Sequence, residues 1–471
     1  MPRPNILLFT TDQHNAEIMG CAGNPVVQTP HLDELAANGV LFTNAFTPHP
    51  VCTPARTSLF TGQYARRHGA PNNINLRSDV APPRPQNQLP AEAVAFPAVL
   101  ARHGYRTSLF GKLHTEQAGG KDFGLQLMRL AEGKGQFIRY GAPPDDYRQY
   151  LKAKGYDDAA GRTWELPTYA GDGWVTSPLR EEDYIDTWTA TEAVKHLEQV
   201  EEPFFSWVSF SGPHTPWDPP EPYASMYAPE DVRFPARRPG ELEEKHPHWV
   251  ESLARTIPAT PPTSTGASLP VGLKQAYDRF SDDQVRAMIA AYYAEISLID
   301  AQVGRLLATL KRRGLYGNTL VIFTADHGDY LGNNWAFFKY GAPYDSLARI
   351  PLVMSGPGFA CHGGRRDELV SLVDLAPTML TAAGVQSVDP FDGRPLQPLV
   401  AGDCRDWRGD IPVFAGNVNG LMTPEWRYLR WHDGFEELYD RLADPHDLHN
   451  LAGRPEQRQV CAEMATLLAR A

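Results

Sequence analysis

Short apolar runs alternate with stretches of helical periodicity along most of the chain. Asn5–Thr10 is one apolar run of the length and composition of a buried strand. Arg106–Phe110, Phe204–Phe210, Leu320–Thr324 and Ile350–Met354 predict further strands. Thr29–Asn38 predicts a helix, with Thr29 as cap and Pro30 in its first position. The clearest helix is Asp283 to Arg313. Val285, Met288, Ile289, Tyr292, Ile296, Ile299, Val303, Leu306, Leu307 and Leu310 make one apolar stripe along it. It closes on Lys311-Arg312-Arg313-Gly314, cations at the negative end of the dipole and then a glycine stop. Strands and helices in alternation predict an α/β fold around a largely parallel sheet.

Two stretches, 140–178 and 213–269, break this rhythm. They are rich in Pro, Gly, Trp and Tyr and are expected to be long loops or insertions. The texture changes again after about Gly402. Trp426–Trp431 and Glu436–Tyr439 read as short strands and Gln457 to Ala471 as a closing helix. The expected division is a catalytic α/β domain over 1–402 and a small C-terminal α+β subdomain over 403–471.

Composition narrows the partners. With 471 residues and 42% hydrophobic content the chain can bury a large core. Its formal charge of −12, with no run of Lys or Arg, argues against a nucleic-acid partner. An anionic substrate would have to be drawn in by a metal and a few local cations, because the overall field opposes it. The five cysteines are scattered and lack CxxC spacing, so neither a disulfide framework nor a zinc–thiolate site is expected, and most should be small buried apolar residues. The run Ile6–Phe9 is too short for a signal-peptide core, and no apolar stretch approaches a membrane span, so the expected address is the cytoplasm. The aromatic C-terminal region suits a subunit contact, which leaves a homo-oligomer open.

Chemistry gathers where strands end. Asn5–Thr10 runs into Thr11-Asp12-Gln13-His14, and Arg106–Phe110 into Gly111-Lys112-Leu113-His114. Phe204–Phe210 runs into Ser211-Gly212-Pro213-His214, and Leu320–Thr324 into Ala325-Asp326-His327-Gly328. In open α/β sheets, ligands bind outside the carboxyl ends of the strands, so four such endings point to one site. Asp12, Gln13, Asp326 and His327 offer mostly hard oxygen donors plus one imidazole, a set for Ca²⁺, Mg²⁺ or Mn²⁺. In Val51-Cys52-Thr53-Pro54-Ala55-Arg56, Thr53 is the expected helix cap and Pro54 its first residue. That sets Cys52 beside a helix N-terminus, where free N–H groups favour an anion, with Arg56 on the first turn.

Cys52-Thr53-Pro54-Ala55-Arg56, continued by Thr57-Ser58-Leu59-Phe60-Thr61-Gly62, resembles the signature of the type I sulfatases, formylglycine-dependent enzymes of the alkaline phosphatase superfamily. Pro4 to Asp12, Gln28 to Asp33, Gly111-Lys112-Leu113-His114, Pro213-His214-Thr215-Pro216, Asp326-His327-Gly328, Lys339 to Pro351 and Leu438-Tyr439-Asp440 follow that family's order. The resemblance implies an alkaline-phosphatase-like sheet sandwiched by helices, and a hydrolase of small sulfate esters. It implies that a formylglycine-generating enzyme oxidises Cys52 to formylglycine, whose hydrate attacks sulfur and later expels sulfate. It further implies that Asp12, Gln13, Asp326 and His327 hold a divalent metal with residue 52, Ca²⁺ first and Mn²⁺ as alternative. Arg56 and Lys112 would stabilise the hydrate, His114 would act as base, and His214 and Lys339 would bind sulfate oxygens, with Asn73 near the substrate. Gln13 departs from the paired Asp of many members. It resembles the phosphonate monoester hydrolases instead, which makes phosphonate or phosphate diesters the alternative substrate. His14, His31, His68, Tyr344 and Asp345 are expected to be structural, and Trp164, Trp174, Trp217 and Trp249 to pack in the core or a lid, with the lining of a sugar or aryl pocket as the alternative.

Overall fold

The computed structural model describes residues 3–73, 88–118, 122–134, 145–156, 176–247, 249–250, 281–339, 341–386 and 391–471. Its strands are β1 (Asn5–Thr11), β2 (Val40–Phe42), β3 (Ala45–Phe46), β4 (Arg106–Gly111), β5 (Leu127–Leu130), β6 (Phe204–Ser209) and β7 (Thr319–Ala325). They continue with β8 (Leu352–Ser355), β9 (Gly364–Arg366), β10 (Val370–Ser371), β11 (Ile411–Ala415), β12 (Val418–Met422), β13 (Trp426–Trp431) and β14 (Glu436–Asp440).

Eight strands form the main sheet in the order β5-β4-β6-β1-β7-β8-β2-β9. The run β5-β4-β6-β1-β7 is parallel throughout. The expected strand at Ile350–Met354 is β8, which runs antiparallel to both its neighbours. Why β1 is central is visible in its alternation. Ile6 and Leu8 enter one core with Ala55, Leu59 and Phe60 of the helix Cys52–Thr61, while Leu7 and Phe9 enter another. That second core holds Leu32 and Leu35 of the helix Pro30–Asn38 and Val303, Leu306 and Leu310 of the helix Asp282–Arg312. Helices therefore cover both faces, and β1, buried along its whole length, is apolar from Ile6 to Phe9.

The long helix starts one residue before its expected position. Ser281 accepts from the Gln284 backbone and Gln284 from that of Ser281, a capping box that the apolar stripe alone does not reveal. The stretch 140–178 is not merely loop. Asp145 caps a helix over Asp146–Ala153, which buries Tyr147 and Leu151. Trp217 and Trp249 are buried, whereas Trp164 and Trp174 lie outside the described residues. All five cysteines are free, but only Cys52 and Cys461 are buried. Cys21, Cys361 and Cys404 sit part-way to the surface, which corrects the expectation that most are buried. Among the described residues no helix is long and apolar enough to cross a membrane.

β11 to β14 form an antiparallel sheet, covered by the helix Arg458–Leu468 through Cys461, Met464 and Leu468. A buried ionic network fastens this sheet to the loop after β7. Arg427, on β13, pairs with Asp447 and with Asp345 at 2.6 Å, and Asp345 pairs with Arg349 at 2.6 Å. The Tyr344 hydroxyl donates to Glu437 of β14 at 2.7 Å, so both Tyr344 and Asp345 serve this junction. Removing one partner from such a network leaves a buried charge unmatched. Arg427→Ala is therefore expected to cost about 3–5 kcal/mol in chemical unfolding. A loss under about 1 kcal/mol would show that the junction is solvated.

Candidate active site

β4, β6, β1 and β7 are adjacent and parallel, so their carboxyl ends meet on one edge, and each expected strand ending delivers its residues there. Asp12 and Gln13 follow β1, Asp326 and His327 follow β7, Lys112 and His114 follow β4, and His214 follows β6. The turn after β4 needs glycine. Gly111 has φ +97°, and a Cβ there would fall 2.0 Å from the Ser209 carbonyl oxygen, the same oxygen that accepts from Lys112 N at 2.9 Å.

Cys52 is the first residue of its helix rather than the residue before it, and all ten residues of that helix are buried. Thr53 does not cap. Lying inside the first turn, its hydroxyl donates to the His114 carbonyl at 2.8 Å, and the Asn73 Oδ1 accepts from Thr53 N at 2.9 Å in the capping role. Farther along the helix, Ser58 Oγ lies 3.0 Å from His68 Nε2.

The Cys52 Sγ lies 2.7 Å from Lys339 Nζ, 3.3 Å from His327 Nε2 and 3.6 Å from Asp12 Oδ1. One donor atom from each of Asp12, Cys52, Asp326 and His327 lies within 4.8 Å of every other. The Nδ1 of His327 is 2.9 Å from the Gly328 carbonyl, which can only accept, so in the neutral ring Nε2 turns its lone pair to the cluster. Gln13 is held at φ 69°, its Nε2 donates to Asp329 Oδ2 at 2.6 Å, and its Oε1 is buried with no hydrogen-bond partner among the described residues. Two carboxylates, an imidazole nitrogen and an orphaned amide oxygen make a donor set that fits a hard divalent cation.

Cations crowd the same carboxylates. Lys112 Nζ lies 2.6 Å and Arg56 Nη2 3.5 Å from Asp12 Oδ2, while Lys339 Nζ lies 3.8 Å from Oδ1. Arg56 donates through Nε to Asp326 Oδ2, and through Nη1 to the Lys112 carbonyl and Ser209 Oγ, each at 2.8 Å. Burial opposes ionisation of Asp12, but Lys112, Lys339 and Arg56 hold its carboxyl well below the usual range. Burial and Asp12 push the Cys52 thiol up, but Lys339, His327 and Lys112 outweigh them and lower it. Burial, reinforced by Lys112 at one ring and Lys339 at the other, holds His114 and His214 far below the ordinary imidazole value, so both are neutral. Among the described residues, three buried cations, Arg56, Lys112 and Lys339, meet two carboxylates, Asp12 and Asp326, at the cluster. That surplus of positive charge suits an anionic substrate.

A cavity of about 300 Å³ is walled in part by His49, Val51, Asn73, Trp249, Gly341 and Trp431, with Val51 next to Cys52 in the chain and Asn73 bonded to Thr53 N. Trp249 thus combines burial with a place on a pocket wall, whereas Trp217 is core, its ring 5.3 Å from that of Phe338. His14 has Thr11 Oγ1 and the Ile18 carbonyl as partners, and the His31 ring lies against Gly304; both are structural. Not foreseen were Ser209, Glu132 and Asp329. Glu132 accepts from His114 N at 3.0 Å, and burial pushes its carboxyl up to about 7. Asp329, three residues after Asp326, was within reach of a strand-end scan, whereas Ser209 and Glu132 carry no local signal.

A family model described as Sulfatase matches residues 4–385, most of the chain. The chain belongs to the sulfatase family. A second model, for the C-terminal region of N-sulphoglucosamine sulphohydrolase, matches residues 333–471 of this sulfatase. An arylsulfatase of Clostridium perfringens is 29% identical, over 97% of this chain and 92% of the relative. A choline-sulfatase of Rhizobium meliloti is 29% identical, over 96% and 83%. Among solved structures, the phosphonate monoester hydrolase of Agrobacterium radiobacter aligns at a TM-score of 0.83 and 25% identity, covering 99% of this chain and 95% of that one. The protein is a sulfuric ester hydrolase of the alkaline phosphatase superfamily, and membership implies a divalent metal and formylglycine.

His68 ties pH to the active-site helix. Its Nδ1 accepts from Ala70 N at 3.2 Å, so protonation there breaks a bond, and burial lowers the ring from 6.5 to about 4. An unfolded chain takes up that proton first. The neutral ring's contribution, about 3 kcal/mol, is therefore complete above pH 6.5 and is lost as pH falls toward 4. Melting temperature should drop more between about pH 7 and pH 5 in the wild type than in His68→Gln. Parallel drops would mean that other groups set the acid limb.

Proposed function

We propose that this sulfatase hydrolyses small sulfate monoesters, with Cys52 converted to formylglycine and a metal ion, Ca²⁺ in preference to Mn²⁺, held by Asp12, Gln13, Asp326 and His327 beside residue 52. The observation that carries this is the seat of Cys52. Its side chain lies at a helix start, 2.7 Å from Lys339 Nζ and within reach of two carboxylates and an imidazole. When bound, the metal supplies positive charge to a substrate oxygen, and the formylglycine hydrate supplies an oxygen nucleophile.

The remaining work falls to the chain itself. Arg56 and Lys112 fix Asp12 and Asp326 and stabilise negative charge on the nucleophile. Lys339 Nζ binds a sulfate oxygen and hands a proton to the departing alcohol. His214 donates through Nδ1 to the Thr215 carbonyl at 2.7 Å, and its Nε2 donates to a second sulfate oxygen once the arriving anion draws a proton onto the ring. His114 is kept neutral by burial and by Lys112, as a base must be, and takes up the proton that releases sulfate. Asn73 borders the cavity that would receive the alcohol portion of the ester. A catalytic domain over 1–402 with a C-terminal subdomain over 403–471 is the division we favour. A formylglycine-generating enzyme is the maturation partner that follows.

Gln13 supports a second reading, phosphonate or phosphate diester hydrolysis at the same site, in keeping with the phosphonate monoester hydrolase fold match. Kinetics on aryl sulfate and aryl phosphonate decide it. A sulfatase favours the sulfate in kcat/KM, and a large preference for the phosphonate would reverse the assignment.

Cys52→Ala should abolish turnover, by about a thousandfold or more, while leaving the melting temperature close to wild type. Peptide mass mapping of fully active protein should find an aldehyde at residue 52; an intact thiol there would sink the mechanism. Stripping the protein with a chelator should likewise silence it, with Ca²⁺ restoring more activity than Mn²⁺. Full activity after verified metal removal would end the metal assignment.

A further inference from the structure

A carboxylate offers oxygens that only accept, and Asp329, wholly buried, uses both. Its Oδ2 receives Gln13 Nε2 at 2.6 Å, and its Oδ1 receives the backbone N–H of Leu331 at 2.7 Å and of Phe338 at 3.0 Å. We infer that Asp329 is a positioning residue that aims the Gln13 amide at the metal site and, with the same carboxylate, sets the segment that delivers Lys339. This rests on the metal assignment proposed above.

The first half follows from donor and acceptor sense. A carboxylate oxygen opposite the amide requires the amide nitrogen, so the amide oxygen must face away. That oxygen, Oε1, is buried and has no hydrogen-bond partner among the described residues. The backbone of Gln13 is independently pinned at φ 69°. Its N–H donates to Asp326 Oδ1 at 3.1 Å, and its carbonyl accepts from the Tyr292 hydroxyl at 2.7 Å. Asn15 closes the assembly, its Nδ2 donating to the Asp329 carbonyl at 2.9 Å.

The second half follows from the loop. Asp329 Oδ1 draws Leu331 and Phe338 together, and Tyr330 N donates to the Phe338 carbonyl at 3.1 Å. Both ends of the loop are thus clamped, and the next residue, Lys339, arrives with Nζ 2.7 Å from Cys52 Sγ. Donor at 13 and acceptor at 329 are therefore one unit. A carboxylate at 13 would meet a carboxylate at 329.

Swapping the polarity of the pair tests this. Full-length protein is stripped of metal and titrated calorimetrically with CaCl₂ and MnCl₂, as wild type, Gln13→Glu, Asp329→Asn and the double variant. Asp329→Asn has one oxygen where two were needed, so its metal Kd should rise about tenfold or more. In the double variant, the amide introduced at position 329 donates to the carboxylate introduced at position 13 and still accepts from the two backbone N–H groups. Its affinity should exceed the sum of the single effects by about tenfold or more. Melting curves of the metal-free proteins separate folding from this coupling. Should Asp329→Asn fail to fold, Gln13→Glu carries the test. Facing carboxylates repel, so metal-free Gln13→Glu should melt below metal-free wild type, and the double variant should regain that loss.

Additive variants, wild-type affinity in Asp329→Asn, or a metal-free Gln13→Glu that melts like wild type would each overturn the inference while the metal assignment stands. Wild-type protein that binds neither ion would overturn both.

Discussion

Everything at this site is arranged around one negative charge that water cannot reach. Asp12 ends the central strand with no exposed surface, and an isolated carboxylate there would cost far more than the fold can spare. Lys112, Arg56 and Lys339 are brought in from three separate elements to meet it. The sheet order serves that meeting, because only adjacent parallel strands release their loops on the same edge. Asp12 is thus the reason the cations can be buried together, and they in turn hold its carboxyl ionised.

Much of this was legible before any coordinates. The parallel strands were readable because strands buried on both faces are nearly continuous apolar runs, as Asn5–Thr11 and Thr319–Ala325 are. Their polar endings were readable for the same reason, each an abrupt stop after an apolar run. What escaped was short or atypical. Ile411–Ala415 carries Pro412, Val418–Met422 carries Gly420, and Val40–Phe42 is three residues long, so none shows a strand period.

The site residues divide in the same way. Cys52, Arg56, Lys112 and Asp326 lie in dense local motifs, and the fold brings them together. Ser209 and Glu132 act through partners distant in sequence, Arg56 and His114, and no local spacing announces that. The cap on the Cys52 helix was misassigned to Thr53 because a threonine before a proline has the composition of a cap. The residue that does cap, Asn73, comes from 20 positions later.

The helix that begins at Cys52 has every side chain hidden, and the sulfur itself has no exposed surface. A macromolecule that must grasp this segment to rebuild its first side chain has no handle on the finished protein. On the proposed conversion of Cys52, the window for such a visit would close when the sheet forms, so maturation would race against folding, and chains that fold first would keep sulfur in place.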